Sequence, residues 1–359
     1  MAVEVSVREL LRLRQFTQRI HPAASGTVAE TVRHMLALQA QDFSNALWAV
    51  GVRTSGSGRS DILAALKRGE VVRTLPMRGT LHFVAAEDLR WMLALTSART
   101  LQGAETRFAN LGLDAATLLR SESIATAGLS NGAMNRDDFM KLLAGNGIAP
   151  DGQRGYHVIF YLAQRSLICW GPPSGTQQAL VLVDDWIPPQ PIPTRDAALQ
   201  QFAARYFASH GPATERDFAW WTKLTLADVR AAIGSCGDGL MELTCGGNRY
   251  WISTAELDAA SASRASAAVH ALPGFDEYLL GYQDRLAPLA PEHSQRTVPG
   301  NNGIFLPTIV AGGRVVGTWR RTPRSKATII APEHFETASD AQHSAFARAA
   351  AGYARFIDG

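Results

Sequence analysis

Apolar positions recur at helical spacing over the first three-quarters of the chain, and short strand-like runs follow each cluster of helices. The spacing predicts an amphipathic helix over 7–19. A second opens on the capping box Thr27-Val-Ala-Glu30 and carries Val32, Met35, Leu36 and Leu38 on its apolar side. A short third covers about 44–52 with Ser44 as its cap, and a fourth covers 61–67. Residues 71–75, a Pro76-Met-Arg-Gly79 turn and residues 80–84 then predict a β-hairpin. Helices closed by a two-stranded hairpin are the plan of a winged helix.

The plan recurs. Asn135 caps a helix that begins Arg136-Asp-Asp-Phe-Met140, residues 155–165 supply another, and strands follow near 167–170 and 179–183. Thr214-Glu-Arg-Asp-Phe-Ala219 repeats the cap–Arg–Asp–Phe theme. Thr225-Leu-Ala-Asp228 caps one more helix, before strands at 240–244 and 248–253. Between the second and third repeats, Trp186-Ile-Pro-Pro-Gln-Pro-Ile-Pro193 reads as a stiff extended connector. Beyond about residue 265 the pattern turns to strands, expected at 268–272, 278–282, 303–310, 314–320 and 327–330, with a closing helix over 339–356. The expected architecture is α+β: winged-helix units over 1–100, 101–186 and 194–264, a linker at 187–193, and a β-barrel-like sheet with a hairpin and final helix over 265–359.

Composition narrows the function classes. A 359-residue chain that is 46% hydrophobic and 19% charged can bury a core, which excludes wholesale disorder. Its longest apolar run is six residues, so no membrane span is expected, and the N-terminus has no export signature; a cytoplasmic, nucleoid-associated protein is the expectation. Three cysteines without C-x-x-C spacing and nine scattered histidines offer neither a disulfide framework nor a metal site, and no cofactor motif is present. The net charge of +3 permits nucleic-acid binding without demanding it. Arginine outnumbers lysine 31 to 4, which fits a GC-rich genome and equally fits bidentate recognition of phosphates and bases.

Two features could carry chemistry. The first is Leu38-Gln39-Ala40-Gln41-Asp42. On a continuous helix Gln39 and Gln41 would point about 200° apart, whereas a helix break would let them converge. From the residues alone, a surface turn with solvated amides is the plainer reading. The second is electrostatic: residues 293–332 contain no Asp or Glu but hold Arg296, Arg314, Arg320, Arg321, Arg324 and Lys326. A slim tip, Ala311-Gly-Gly-Arg314, could carry Arg314 into a DNA minor groove while the basic residues beyond Trp319 neutralise phosphates. An ordinary solvated hairpin is the alternative.

Val71-Val-Arg-Thr-Leu-Pro-Met-Arg-Gly-Thr-Leu-His82, Gly211-Pro-Ala-Thr-Glu-Arg-Asp-Phe218 and Phe275-Asp-Glu-Tyr-Leu-Leu-Gly-Tyr-Gln-Asp-Arg285, together with Gln39-Ala-Gln41, resemble the tandem winged-helix bacterial DNA glycosylases of the AlkZ and YcaQ type. The resemblance spans nearly the whole chain. It implies three winged helices plus a β-barrel, forming a C whose concave side takes duplex DNA. It also implies hydrolysis of the N-glycosidic bond of bulky N7-alkylguanines or related alkylated purines. In some members it implies unhooking of interstrand crosslinks made by antibiotics such as azinomycin. The family motif, Gln then an apolar residue then Gln or Asp, maps onto Gln39, Ala40 and Gln41, so the chain resembles the AlkZ branch.

That assignment is chemically coherent. An amide has no accessible pKa for general-base work, but it can orient a water and its oxygen favours a developing oxocarbenium ion. This suffices when the leaving base is already cationic. Asp42 is the rival, a true carboxylate next door that the family pattern makes a structural cap. Arg73 and Arg78 flank the first hairpin's turn and are the leading phosphate contacts, Arg314 the groove probe, and Arg320, Arg321 and Arg324 the backbone clamp. His82 reads as structural, and Asp284-Arg285 as a packing pair. A monomer acting on double-stranded DNA with little base flipping is expected. A non-catalytic winged-helix regulator is the alternative, and a protein-interaction scaffold a third.

Overall fold

A computed structural model describes residues 3–175, 177–262, 268–323 and 328–358. The chain forms two compact units, one built from Met1–Ile62 with Leu199–Gly359 and the other from Leu63–Ala198.

In the Leu63–Ala198 unit, strands Val71–Met77 and Thr80–Ala85 form the expected hairpin. The turn is tighter than predicted. Pro76 and Met77 stay in the strand across a bulge, and only Arg78 and Gly79 turn, both with positive φ. The first of these strands also pairs with Ile168–Ser174, which in turn pairs with Gln177–Leu182. Asn135 caps its helix as expected, accepting from the Asp138 amide. Two helices the apolar spacing does not reveal, Leu89–Asn110 and Ala115–Leu129, complete the unit. The first crowds its apolar residues into its opening half, and in the second half only Leu101, Ala104 and Phe108 reach the core among Gln102, Glu105 and Arg107, which blurs the stripe. Phe108, Phe139, Val158, Leu162 and Ile168 centre the core.

In the other unit the first helix, Val7–Thr17, is capped by Ser6, and its Leu10, Leu11 and Leu13 pack against Leu243, Tyr250 and Ile252 of the Leu240–Cys245 and Asn248–Ser253 hairpin. Both Thr-led capping boxes are present, at Thr27–Glu30 and at Thr214–Asp217. Helices followed by hairpins are therefore present in both units.

The C-terminal sheet departs from expectation. It is an open four-stranded antiparallel sheet in which Val269–Leu272, Thr308–Ala311, Arg314–Pro323 and Thr328–His334 are paired in that order, not a barrel. Closure fails because one expected strand does not form and another is cut short. Of residues 278–282, the first three belong to a helical turn, Glu277–Leu280, capped by Asp276, and of 303–310 only the end is strand. Four strands are too few to close on themselves. The closing helix Asp340–Asp358 instead packs on the sheet, with Tyr353 against Trp319 at 5.0 Å and against Trp48 at 5.2 Å.

The Gly312-Gly313 turn is half docked. Gly312 faces open space, but a Cβ on Gly313 would meet Leu11 Cβ at 2.7 Å, and the Tyr278 hydroxyl donates to the Gly313 carbonyl at 2.5 Å. Both residues have positive φ, so alanine at either is strained by about 1–2 kcal/mol. Gly313→Ala adds overpacking of about 1–3 kcal/mol. Urea denaturation should therefore show Gly313→Ala markedly less stable than Gly312→Ala; equal losses would contradict the docking.

Candidate active site

Gln39 and Gln41 lie outside any helix. The second helix ends at Met35, where Leu36 takes φ 62°, and the next begins at Phe43. Leu38 and Gln39 are extended. The 200° separation that a helix would impose is thus removed. Asp42, not Ser44, caps the Phe43–Gly51 helix, its Oδ1 accepting from the Asn45 amide at 2.9 Å. That cap is the role expected of the rival carboxylate. Gln41 is exposed, while Gln39 is only 9% exposed and Ala40 fully buried.

Gln39 is fastened from behind. Its backbone N–H donates to Glu277 Oε1 at 3.0 Å. The other oxygen of Glu277 accepts from Trp221 Nε1 at 2.9 Å and lies 3.6 Å from His210 Nε2. Glu277, Trp221 and His210 are all fully buried. Gln39 Oε1 is also buried, yet no hydrogen-bond donor among the described residues meets it. A buried acceptor without a donor carries a desolvation cost; the side-chain oxygens of Gln15, Gln164 and Gln178 share that state, and what sets Gln39 apart is its backbone bond to a buried carboxylate.

A second buried circuit supports the first. Asp276 takes a bidentate pair from Arg53, at 2.8 and 2.7 Å, and Arg53 also donates to Gln18 Oε1 at 3.0 Å. Gln18 Nε2 donates to the Tyr282 hydroxyl at 2.9 Å, which donates onward to the His210 carbonyl at 2.7 Å. Burial pushes the Tyr282 phenol up to about 12 against the opposing pull of Arg14, whose guanidinium lies 3.8 Å from the ring, so it keeps its proton and its donor role.

A family model of the AlkZ-like DNA glycosylases matches residues 32–356. The chain belongs to that family. Among curated relatives of this AlkZ-like chain is an interstrand DNA cross-link repair glycosylase of Streptomyces sahachiroi. It is 28% identical over 335 residues, which cover 88% of each chain. Among solved structures, Streptomyces sahachiroi DNA glycosylase AlkZ superposes with a TM-score of 0.82 at 24% identity, covering 99% of this chain and 98% of the other. The mixed α+β fold is thus that of AlkZ.

The arginines expected to bind DNA are placed unequally in this AlkZ-like chain. Arg73 is buried within its strand, beside Phe83 and Trp170 in register, which is not the exposed setting a phosphate contact needs. Arg78 is half-buried and donates to His82 Nε2 at 2.8 Å, while His82 Nδ1 donates to the Thr80 carbonyl. Arginine can only donate and a carbonyl only accept, so His82 is held neutral, as a structural residue. Arg314 is exposed beside the docked turn. Arg320 and Arg321 alternate across their strand and so serve opposite faces. Arg320 pairs with Glu333 at 3.1 Å, and Arg321 donates to the Tyr353 hydroxyl at 3.0 Å. Arg324 lies outside the described residues. The acid-free window of the sequence is therefore partly neutralised by the first acid beyond it, Glu333, which also stands 3.7 Å from Arg296. Arg285 serves packing: it donates to the Leu279 carbonyl and lies over the rings of Trp220 and Phe305.

Among the described residues, no helix is long and apolar enough to cross a membrane, and no group of three or more His, Cys, Asp or Glu side chains could hold a metal ion. Sequence reasoning missed Glu277, Trp221, His210, Gln18 and Arg53. The available signal was Asp276-Glu277, two adjacent acids leading into the apolar run Tyr278-Leu-Leu-Gly-Tyr282.

Half-buried His34 gives a pH prediction. Burial, with the nearby Arg19 cation adding to it, lowers its pKa to about 4, and its Nε2–H donates to the Thr17 carbonyl at 2.6 Å. The unfolded chain binds this proton near 6.5, so between about 6.5 and 4 it holds more protons than the fold and stability falls as pH falls. Urea midpoints should drop over that window, and His34→Gln should flatten the drop; an unchanged slope would count against it.

Proposed function

We propose that this chain hydrolyses the N-glycosidic bond of cationic N7-alkylguanines, and of related alkylated purines, in double-stranded DNA, with Gln39 and Gln41 placing the attacking water. The observation that carries this reading is the buried oxygen of Gln39. It is an acceptor that no donor among the described residues meets, on a backbone pinned by a buried carboxylate. A turn of this side chain toward the surface brings the oxygen to water, from which it can accept a hydrogen bond while facing positive charge developing on the sugar. The water oxygen bonds to C1′, the C1′–N9 pair of electrons leaves with the base and cancels its charge, and the water's proton passes to solvent. No acid is needed to protonate the leaving group, which is why two amides suffice.

The helix-and-hairpin repeats act in this reading as winged helices, with Arg314 and Arg320 as exposed contacts to the DNA backbone and groove. The cross-link repair named for the Streptomyces relative extends the proposed substrates to crosslinked purines, and one chain carries every group invoked. Mass spectrometry of bases freed from alkylated duplex DNA tests the proposal. Release of 7-alkylguanine by the wild type and its loss in Gln39→Ala support it. A sequence-specific footprint without base release would instead mark a regulator.

A further inference from the structure

We propose that Glu277 is the positioning residue of the glutamine motif, and that it must be a carboxylate because it receives two N–H groups at once. This rests on the reading of Gln39 given above. The geometry leaves little freedom. Oε1 accepts the Gln39 amide at 3.0 Å, and Oε2 accepts the Trp221 indole at 2.9 Å with His210 Nε2 at 3.6 Å. The Glu277 carbonyl accepts from Gln18 at 3.3 Å and from the Gly281 amide at 2.8 Å, so the residue is held by its backbone as well.

An ionised carboxylate is acceptor-only and suits this pair of donors. A glutamine in the same place has one accepting oxygen and one donating nitrogen. Whichever way it turns, its N–H₂ confronts either Gln39 N–H or Trp221 Nε1–H. Where the amide oxygen goes to the indole, the motif loses its anchor, and a displacement of about 1 Å at a water-positioning group is worth orders of magnitude in rate. The carboxylate is buried with Trp221 and His210, away from solvent. Its place is therefore behind the motif, and it acts through Gln39, not on the sugar.

The donor count gives a rescue that a merely structural residue would not show. Trp221→Phe removes the indole donor. In the Glu277→Gln background the new amide can then give its oxygen to Gln39 and turn its nitrogen to the vacated side. The test measures single-turnover release of 7-methylguanine, duplex affinity and the thermal transition for wild type, Glu277→Gln, Trp221→Phe and the double variant.

Glu277→Gln should lower the release rate at least about tenfold with duplex affinity changed by less than about twofold. The double variant should return to within about threefold of Trp221→Phe alone, a coupling of the kind that contacting residues show. A full rate in Glu277→Gln overturns the proposal. So does a loss that Trp221→Phe fails to restore, or the collapse of the thermal transition in both chains that carry Glu277→Gln. Failure of the underlying reading looks different: the wild type then frees no base, or Gln39→Ala leaves release intact.

Discussion

Gln39→Ala is expected to slow single-turnover release of 7-methylguanine roughly 100-fold while leaving affinity for undamaged duplex within about twofold, because it removes a positioned acceptor and touches no DNA-binding group. The neighbouring positions sharpen the expectation. Gln41 is exposed and Asp42 spends Oδ1 on the Asn45 amide, so Asp42→Asn, which keeps a capping oxygen, should leave release nearly unchanged. Loss of release in Asp42→Asn with retention in Gln39→Ala would move the chemistry to the carboxylate. Ala40 gives the motif its inward point of attachment, being wholly buried between two glutamines of unequal exposure.

The second large effect falls on stability. Arg53 and Asp276 form a bidentate pair that is buried on both sides, and Arg53 also holds Gln18. Removing one partner strands the other charge in the core, at a cost of about 3–5 kcal/mol. Asp276→Ala additionally removes the cap of the Glu277–Leu280 turn, since Asp276 Oδ1 accepts the Tyr278 amide. Its thermal midpoint should drop by roughly 10 °C. Replacing both residues with apolar ones of similar volume should recover much of that loss, because no unpaired charge then remains. A midpoint within about 2 °C of wild type for Asp276→Ala would show that the pair contributes little.

The local rules of the chain were readable where one residue type satisfies one nearby group. The caps at Thr27, Asn135, Thr214 and Thr225 all accept amides within their own first turns, so spacing alone locates them. The first hairpin was readable for the same reason. What sequence could not supply was the machinery around Gln39, whose partners lie up to 238 positions away. Residues 278–282 read as a strand because Tyr and Leu favour one, yet Asp276 and Glu277 are committed to Arg53, Gln39 and Trp221, and these tertiary bonds impose a helical turn. The expected barrel failed with that strand. Charge counting likewise took the basic stretch near Arg320 as open, because Glu333 returns to it only across the sheet.

The unit that holds the glutamines is interrupted in the chain, with residues 63–198 inserted between its two parts. At about 5–20 residues per second, a ribosome takes roughly 10–40 s to travel from residue 62 to residue 277. For all that interval the nascent Arg53 and Gln39 have been made but the Asp276 and Glu277 that will receive them have not. The inserted unit, made of contiguous sequence, can fold first. The Gln39 amide therefore meets its Glu277 acceptor only late in synthesis, and a truncated product ending before the final third lacks that acceptor.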